Sequence, residues 1–122
     1  MLKVRVREKP MIHVTIRAVM SQKNREDAFR ILRSMAERTR ALPGCLACRV
    51  YRDVQQGRAI LFDQIWAREE ELNRHIRSDE YRNVLLVMEM AVEKPEIRFE
   101  TISSLTGLET IEKLRSGSEI HI

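Results

Sequence analysis

The spacing of apolar residues alternates along this chain between the two-residue period of strands and the three-to-four-residue period of helices, and the changes mark its elements. Residues 2–8 alternate apolar and basic, which fits an edge strand or an arm, and Pro10 separates them from Met11 to Met20, an Ile-, Val- and Thr-rich first core strand. From Asn24 the period lengthens: Ala28, Ile31, Leu32, Met35 and Ala36 form one stripe with Arg and Glu opposite. Asn24 followed by Asp27 fits a helix N-cap, and Pro43-Gly44 stops the helix. Residues 45–54 and 58–67 then read as two strands joined by Gln55-Gln56-Gly57.

Beyond them, residues 68–92 read as helical in two pieces, with Ser78 capping the second, in which Tyr81, Val84, Leu85, Met88 and Val92 share a face. Leu86, Val87 and Met90 lie off that stripe and are also apolar, so this helix is expected to be covered on more than one side. Pro95 ends it, and Ile97 to Ile102 forms a last strand with Phe99 inward or at an interface. Gly107 to Arg115 fits a short amphipathic helix with a polar tail behind it. The order βαββαβ predicts a ferredoxin-like α+β sandwich, one antiparallel sheet with helices on one face, plus the C-terminal helix. Because both hairpin strands read as mainly apolar on both faces, the other sheet face is expected to be covered, most simply by an identical sheet in a homodimer or a multiple of it. The boundaries follow: residues 1–10 an arm or edge strand, 11–103 the domain, 104–122 the C-terminal helix and tail.

One stretch concentrates the chemistry. On the second hairpin strand Ile60, Phe62, Gln64 and Trp66 share a face and Leu61, Asp63 and Ile65 the other. In the following helix Leu72, His75 and Ile76 share a side, which turns His75 inward towards the chain's single tryptophan. From spacing alone Trp66 as core and His75 as a hydrogen-bonded boundary histidine is the simpler alternative to a functional pair. Asp63, an acid in an apolar strand, is expected either to pair with Arg49 or Arg52 on the hairpin partner or to face a pocket.

Composition removes several classes. The chain of 122 residues carries a net charge of +4, but Lys3, Arg5, Arg7 and Lys9 supply most of it, so no folded basic face of a nucleic-acid binder is indicated. The longest wholly apolar run, Val84 to Met88, is far short of the ~20 residues of a membrane span, and the N-terminus lacks a secretory apolar block, so a cytoplasmic location is the default. Cys45 and Cys48 form a C-x-x-C, but in a regular strand residues three apart face opposite ways with Cα atoms ~10 Å apart, beyond the ~7 Å reach of a disulfide. Both are therefore expected to stay reduced and metal-free. The cluster Arg68-Glu69-Glu70-Glu71 fits a solvated first helical turn whose carboxylates favour the positive end of the helix dipole. No nucleotide-binding, zinc-protease or nucleophile-elbow motif occurs.

The run Trp66, Leu72, His75, Ser78, Tyr81, preceded by PGCLACRVYRD at 43–53, resembles the signature of the antibiotic biosynthesis monooxygenase family over roughly residues 11–103. The resemblance implies a dimeric α+β barrel and a cofactor-independent oxidoreductase, a monooxygenase without metal or flavin, in which a small aromatic quinol, phenol or polyketide itself activates dioxygen. For such a reaction His75, an imidazole with an unperturbed pKa of ~6.5, is the best available proton acceptor, Tyr51, Tyr81 and Arg49 are candidate hydrogen-bond donors, and Trp66 and Phe62 are candidate walls of a pocket that the strand and helix directions place between Trp66 and the segment bearing His75 and Tyr81. A non-catalytic, ligand-binding or stress-related barrel module is the alternative from another class. Haem degradation is disfavoured, since the first-strand Asn and the haem-ligating His of such relatives are replaced near Thr15 or Ile16 and near Leu85.

Overall fold

The computed structural model describes residues 5–116, with side chains from Pro10 onward. Residues 1–4 of the basic arm and the tail after Ser116 lie outside the described residues. The elements run β1 (Arg5–Val19), α1 (Arg25–Thr39), β2 (Cys45–Arg52), β3 (Ala59–Trp66), α2 (Glu69–Arg77), a single 3-10 turn (Asp79–Tyr81), α3 (Arg82–Met90), β4 (Glu96–Leu105) and α4 (Leu108–Arg115). The strands form one antiparallel sheet in the order β2-β3-β1-β4, the ferredoxin-like arrangement. Its first strand continues through Pro10, with a register shift between Val6 and Met11 where it pairs with β4.

Residues directly opposite one another in a ladder share a sheet face, so the register sorts the side chains. Ile16 pairs with Phe62, Ala18 with Ile60, and Phe62 with Val50, placing all of them under the helices. There Ala28, Leu32, Met35 and Ala36 of α1 and Val84 and Val87 of α3 close the main core, and Trp66, Val14 and Leu72 form a smaller cluster beside it. The opposite face holds His13, Thr15, Leu61, Asp63, Arg49, Tyr51, Arg98 and Glu100. Strand β2 is therefore not apolar on both faces: its open side presents exposed Arg49 and Tyr51 beside half-buried Ala47, while β3 places half-buried Leu61 and Ile65 there on either side of Asp63.

Local readings are corrected at four places. Asn24 precedes α1 but already has helical backbone angles (φ −97°, ψ −6°), and its side chain makes no cap; the Ser21 hydroxyl accepts the Asn24 N–H instead at 3.2 Å. Ser78 stands before the 3-10 turn without capping it, its hydroxyl donating back to the His75 carbonyl at 2.6 Å. Helix α3 is buried along Val84 and Val87, next to Tyr81, while Leu85 and Leu86 are exposed because a single sheet lies beneath it, and Val92 lies beyond its end, exposed as well. A bulge in β2 pairs Cys45 with Trp66 and Cys48 with Gln64, so the two cysteines lie on the same, helix-covered face and Leu46 is the extra residue. Both thiols are free, and burial pushes the Cys48 thiol up to about 11. Among the described residues no three His, Cys, Asp or Glu side chains converge as a metal site requires.

On β4, Phe99 lies opposite Val14 on the helix side but remains 55% exposed at the sheet edge. The α4 stripe Leu108, Ile111 and Leu114 is exposed as well.

Gly44 joins α1 to β2 with φ +83°, and its carbonyl accepts the Ala67 N–H at 2.7 Å, tying the start of β2 to the end of β3. A Cβ at this position would run into the Glu71 carboxylate. Gly44→Ala is expected to destabilise the fold by about 1–2 kcal/mol, the usual cost of left-handed backbone for an L-residue, with Glu71 displaced in addition. Chemical denaturation would measure it, and an unchanged midpoint would contradict the strain.

Candidate functional site

A cavity of about 380 Å³ opens where the C-terminal end of α1, the Leu42-Pro43 connection, the last residue of β3 and helix α2 meet. Trp66 reaches its wall because the even-numbered residues of β3 face the helices, and His75 because it lies three residues after Leu72 on the buried side of α2. Arg38, Thr39, Glu71, Arg74, Ser78 and Glu80 complete the lining. Two ion pairs brace it: Arg38 Nε to Glu80 at 2.5 Å links α1 to the 3-10 turn, and Arg68 holds Glu71 at 2.7 Å. Arg74 is exposed.

His75 is 3% exposed and stands between two aromatic rings, tilted against Trp66 at 5.1 Å and edge-on to Tyr81 at 5.3 Å. Its Nε2 lies 3.4 Å from the side-chain nitrogen of Gln64, whose carbonyl oxygen accepts the Trp66 indole N–H at 3.2 Å. Nδ1 of His75 is buried without a hydrogen-bond partner. Burial holds the imidazole below its ordinary pKa, against a smaller opposing pull from Glu80, and burial also raises the Tyr81 phenol.

The residues singled out in the sequence divide into two groups. Trp66, His75 and Tyr81 come together as expected from the strand and helix faces, with Phe62 behind them in the main core rather than at the cavity wall. Asp63, Arg49 and Tyr51 lie on the other side of the sheet. Asp63 is hydrogen-bonded to His13 (2.6 Å) and to the Thr15 hydroxyl (3.3 Å), and not to either arginine named for it. Arg49 stands opposite it in the ladder, whereas Arg52 turns to the helix side, over Phe29 and against Glu26. Sequence reasoning gave Gln64 no role. Its signal was present all the same: it is the single polar residue on a strand face otherwise composed of Ile60, Phe62 and Trp66.

These features define a ferredoxin-like α+β domain with a cavity between sheet and helices. The family model for antibiotic biosynthesis monooxygenase matches residues 11–85, well over half of the chain, and the chain belongs to that family. The matched segment contains every residue lining the cavity. Among solved structures, a conserved protein of Methanosarcina mazei is 22% identical with a TM-score of 0.69, the match covering 75% of this chain and 92% of that one. A Mycobacterium tuberculosis protein is 20% identical (TM-score 0.67; 74% and 92% covered), and an antibiotic biosynthesis monooxygenase 19% identical (TM-score 0.66; 73% and 95% covered). At these identities the likeness is one of fold. No curated protein matches the chain.

The depressed pKa of His75 has a thermodynamic sign. Below the ordinary value of 6.5 the unfolded chain binds the proton more readily than the folded one, so the contribution of neutral, buried His75 is complete above that pH. It is lost as pH falls from there through the lower folded value. The thermal midpoint is therefore expected to drop between pH 7 and 5, and His75→Phe should flatten part of that drop. Equal slopes in the two proteins would exclude His75 as a source of acid sensitivity.

Proposed function

We propose that this protein is a cofactor-independent monooxygenase that takes a small aromatic quinol, phenol or polyketide into the cavity beside Trp66 and His75. The observation that carries the reading is a cavity walled by Trp66, Leu42 and Pro43 and lined by His75, a buried side chain whose Nδ1 has no hydrogen-bond partner, all within the segment matched by the family model. The chemistry balances without a further reductant: a phenol and dioxygen give a quinone and water. One oxygen atom enters the ring, the other leaves as water, and the substrate supplies all four electrons. The protein's part is to exclude water, hold the ring plane against Trp66 and stabilise the charge that develops on the substrate oxygen. We assign His75 to act on that oxygen, with Tyr81 packed edge-on against its imidazole.

Oxygen uptake with a panel of quinols, phenols and polyketide phenols tests this. His75→Ala should lower uptake about 10²-fold or more, while Trp66→Ala should chiefly raise the substrate concentration required. If no such compound supports uptake, the cavity belongs to a ligand-binding module. If His75→Ala only lowers the melting temperature, His75 is structural.

The protein is further proposed to act as a homodimer through its open sheet face, where Leu61 and Ile65 flank the His13–Asp63 pair. Light scattering coupled to size exclusion should give about twice the chain mass of 14.4 kDa. A stable monomer at micromolar concentration would exclude the pairing.

A further inference from the structure

The protonation of His75 can be read from its neighbours. An indole N–H only donates, so the Gln64 atom 3.2 Å from Trp66 Nε1 has to be the amide oxygen, which fixes the orientation of the whole amide. The amide nitrogen, a donor only, then faces Cys48 Sγ at 3.5 Å and His75 Nε2 at 3.4 Å. Nε2 can meet that donor only as an acceptor. A neutral imidazole carries one proton, and burial keeps this one neutral, so the proton resides on Nδ1. Nδ1 is the atom that is buried, without a partner, on a side chain that lines the cavity. An N–H left unpaired inside a protein is unfavourable, and an acceptor supplied by a ligand recovers the lost hydrogen bond.

We propose that Trp66 and Gln64 lock His75 as the Nδ1–H tautomer, making it the cavity's hydrogen-bond donor rather than its base. The ligand class is then a planar aromatic bearing an acceptor oxygen, a quinone or aryl ketone carbonyl, or the oxyanion of an ionised phenol, directed at Nδ1. This rests on the cavity assigned under the proposed function and specifies what it recognises. The proton-accepting nitrogen expected of His75 from the sequence is the one already engaged by Gln64. Gln64 is a positioning residue that acts through His75. During oxidation the Nδ1–H would stabilise negative charge forming on the substrate oxygen without itself taking a proton.

The test uses the full chain labelled with 15N-histidine. A two-bond 1H–15N correlation at pH 7.5, with the His75 signals assigned by their loss in His75→Asn, should show a protonated-type Nδ1 and an unprotonated Nε2. The opposite tautomer in the unaltered protein overturns the proposal and needs no variant to be seen. Gln64→Glu, which presents only acceptors to both neighbours, should transfer the proton to Nε2.

For the ligand class, 1,4-naphthoquinone is compared with naphthalene, which has the same ring size and no acceptor. Naphthoquinone should shift the Nδ1–H resonance and bind about tenfold more tightly, the scale of one hydrogen bond, and the advantage should disappear in Gln64→Glu. Equal binding of the two compounds overturns the assignment. Naphthoquinone binding as stated, with no oxygen uptake from any phenol, would refute the monooxygenase reading and leave the donor assignment standing. Uptake with His75 in the Nε2–H form would do the reverse.

Discussion

A primary amide buried under a helix has to satisfy a carbonyl and two N–H bonds, and Gln64 does so with three side chains from separate parts of the fold. Trp66 comes from its own strand, Cys48 from the neighbouring strand and His75 from α2. Each contact presupposes something larger. Trp66 and Gln64 have to share the helix face of β3, β2 has to be bulged so that Cys48 arrives on that face, and α2 has to be seated closely enough for an imidazole to meet the amide. The cavity lies at the rim of this arrangement, and its chemical character follows from how the amide is turned.

The fold was largely legible because its signals are periodic. The alternation in residues 58–67 placed Trp66 and Phe62 under the helices, and the Leu72–His75–Ile76 spacing turned His75 inward, so the central triad of rings could be anticipated. What could not be read depends on partners distant in sequence. Asp63 had two arginines within reach on the hairpin, but its partner comes across the other ladder, where β1 brings His13 beside it from fifty residues away. The opposed faces expected for Cys45 and Cys48 assumed an unbroken strand, and one extra residue removes that assumption. Gln64 stood out as the single polar residue on its strand face, but its role depends on Cys48 and His75, which other elements bring to it.

The two sheet faces are also chemically unlike. On the helix side the buried polar residues among those described are Thr39, Gln64 and His75. On the open side Asp63 and His13 are only partly shielded, and Arg17 bridges Asp53 and Glu96. A second sheet laid on this face would meet charges as well as Leu61 and Ile65, so its fit would be set by how those charges pair. Hydrophobic area alone would leave the mutual orientation of two copies loosely defined, whereas ion pairs at fixed ladder positions restrict it.

The bulge at Leu46 also determines where the chain tolerates changes in length. From Gly44 to Cys48 the number of residues is fixed: the Gly44 carbonyl has to reach Ala67, Cys45 has to lie opposite Trp66, and Cys48 has to lie opposite Gln64. Losing or gaining one residue there would rotate one end of the segment to the wrong face. At the other end of the same strand, the exposed turn around Gln55-Gln56-Gly57 is held by local hydrogen bonds to Asp53 and by Arg25 rather than by ladder pairing. Relatives of this chain are thus expected to vary in length at the hairpin tip and to keep their spacing between the glycine and the second cysteine position, even where neither cysteine is retained.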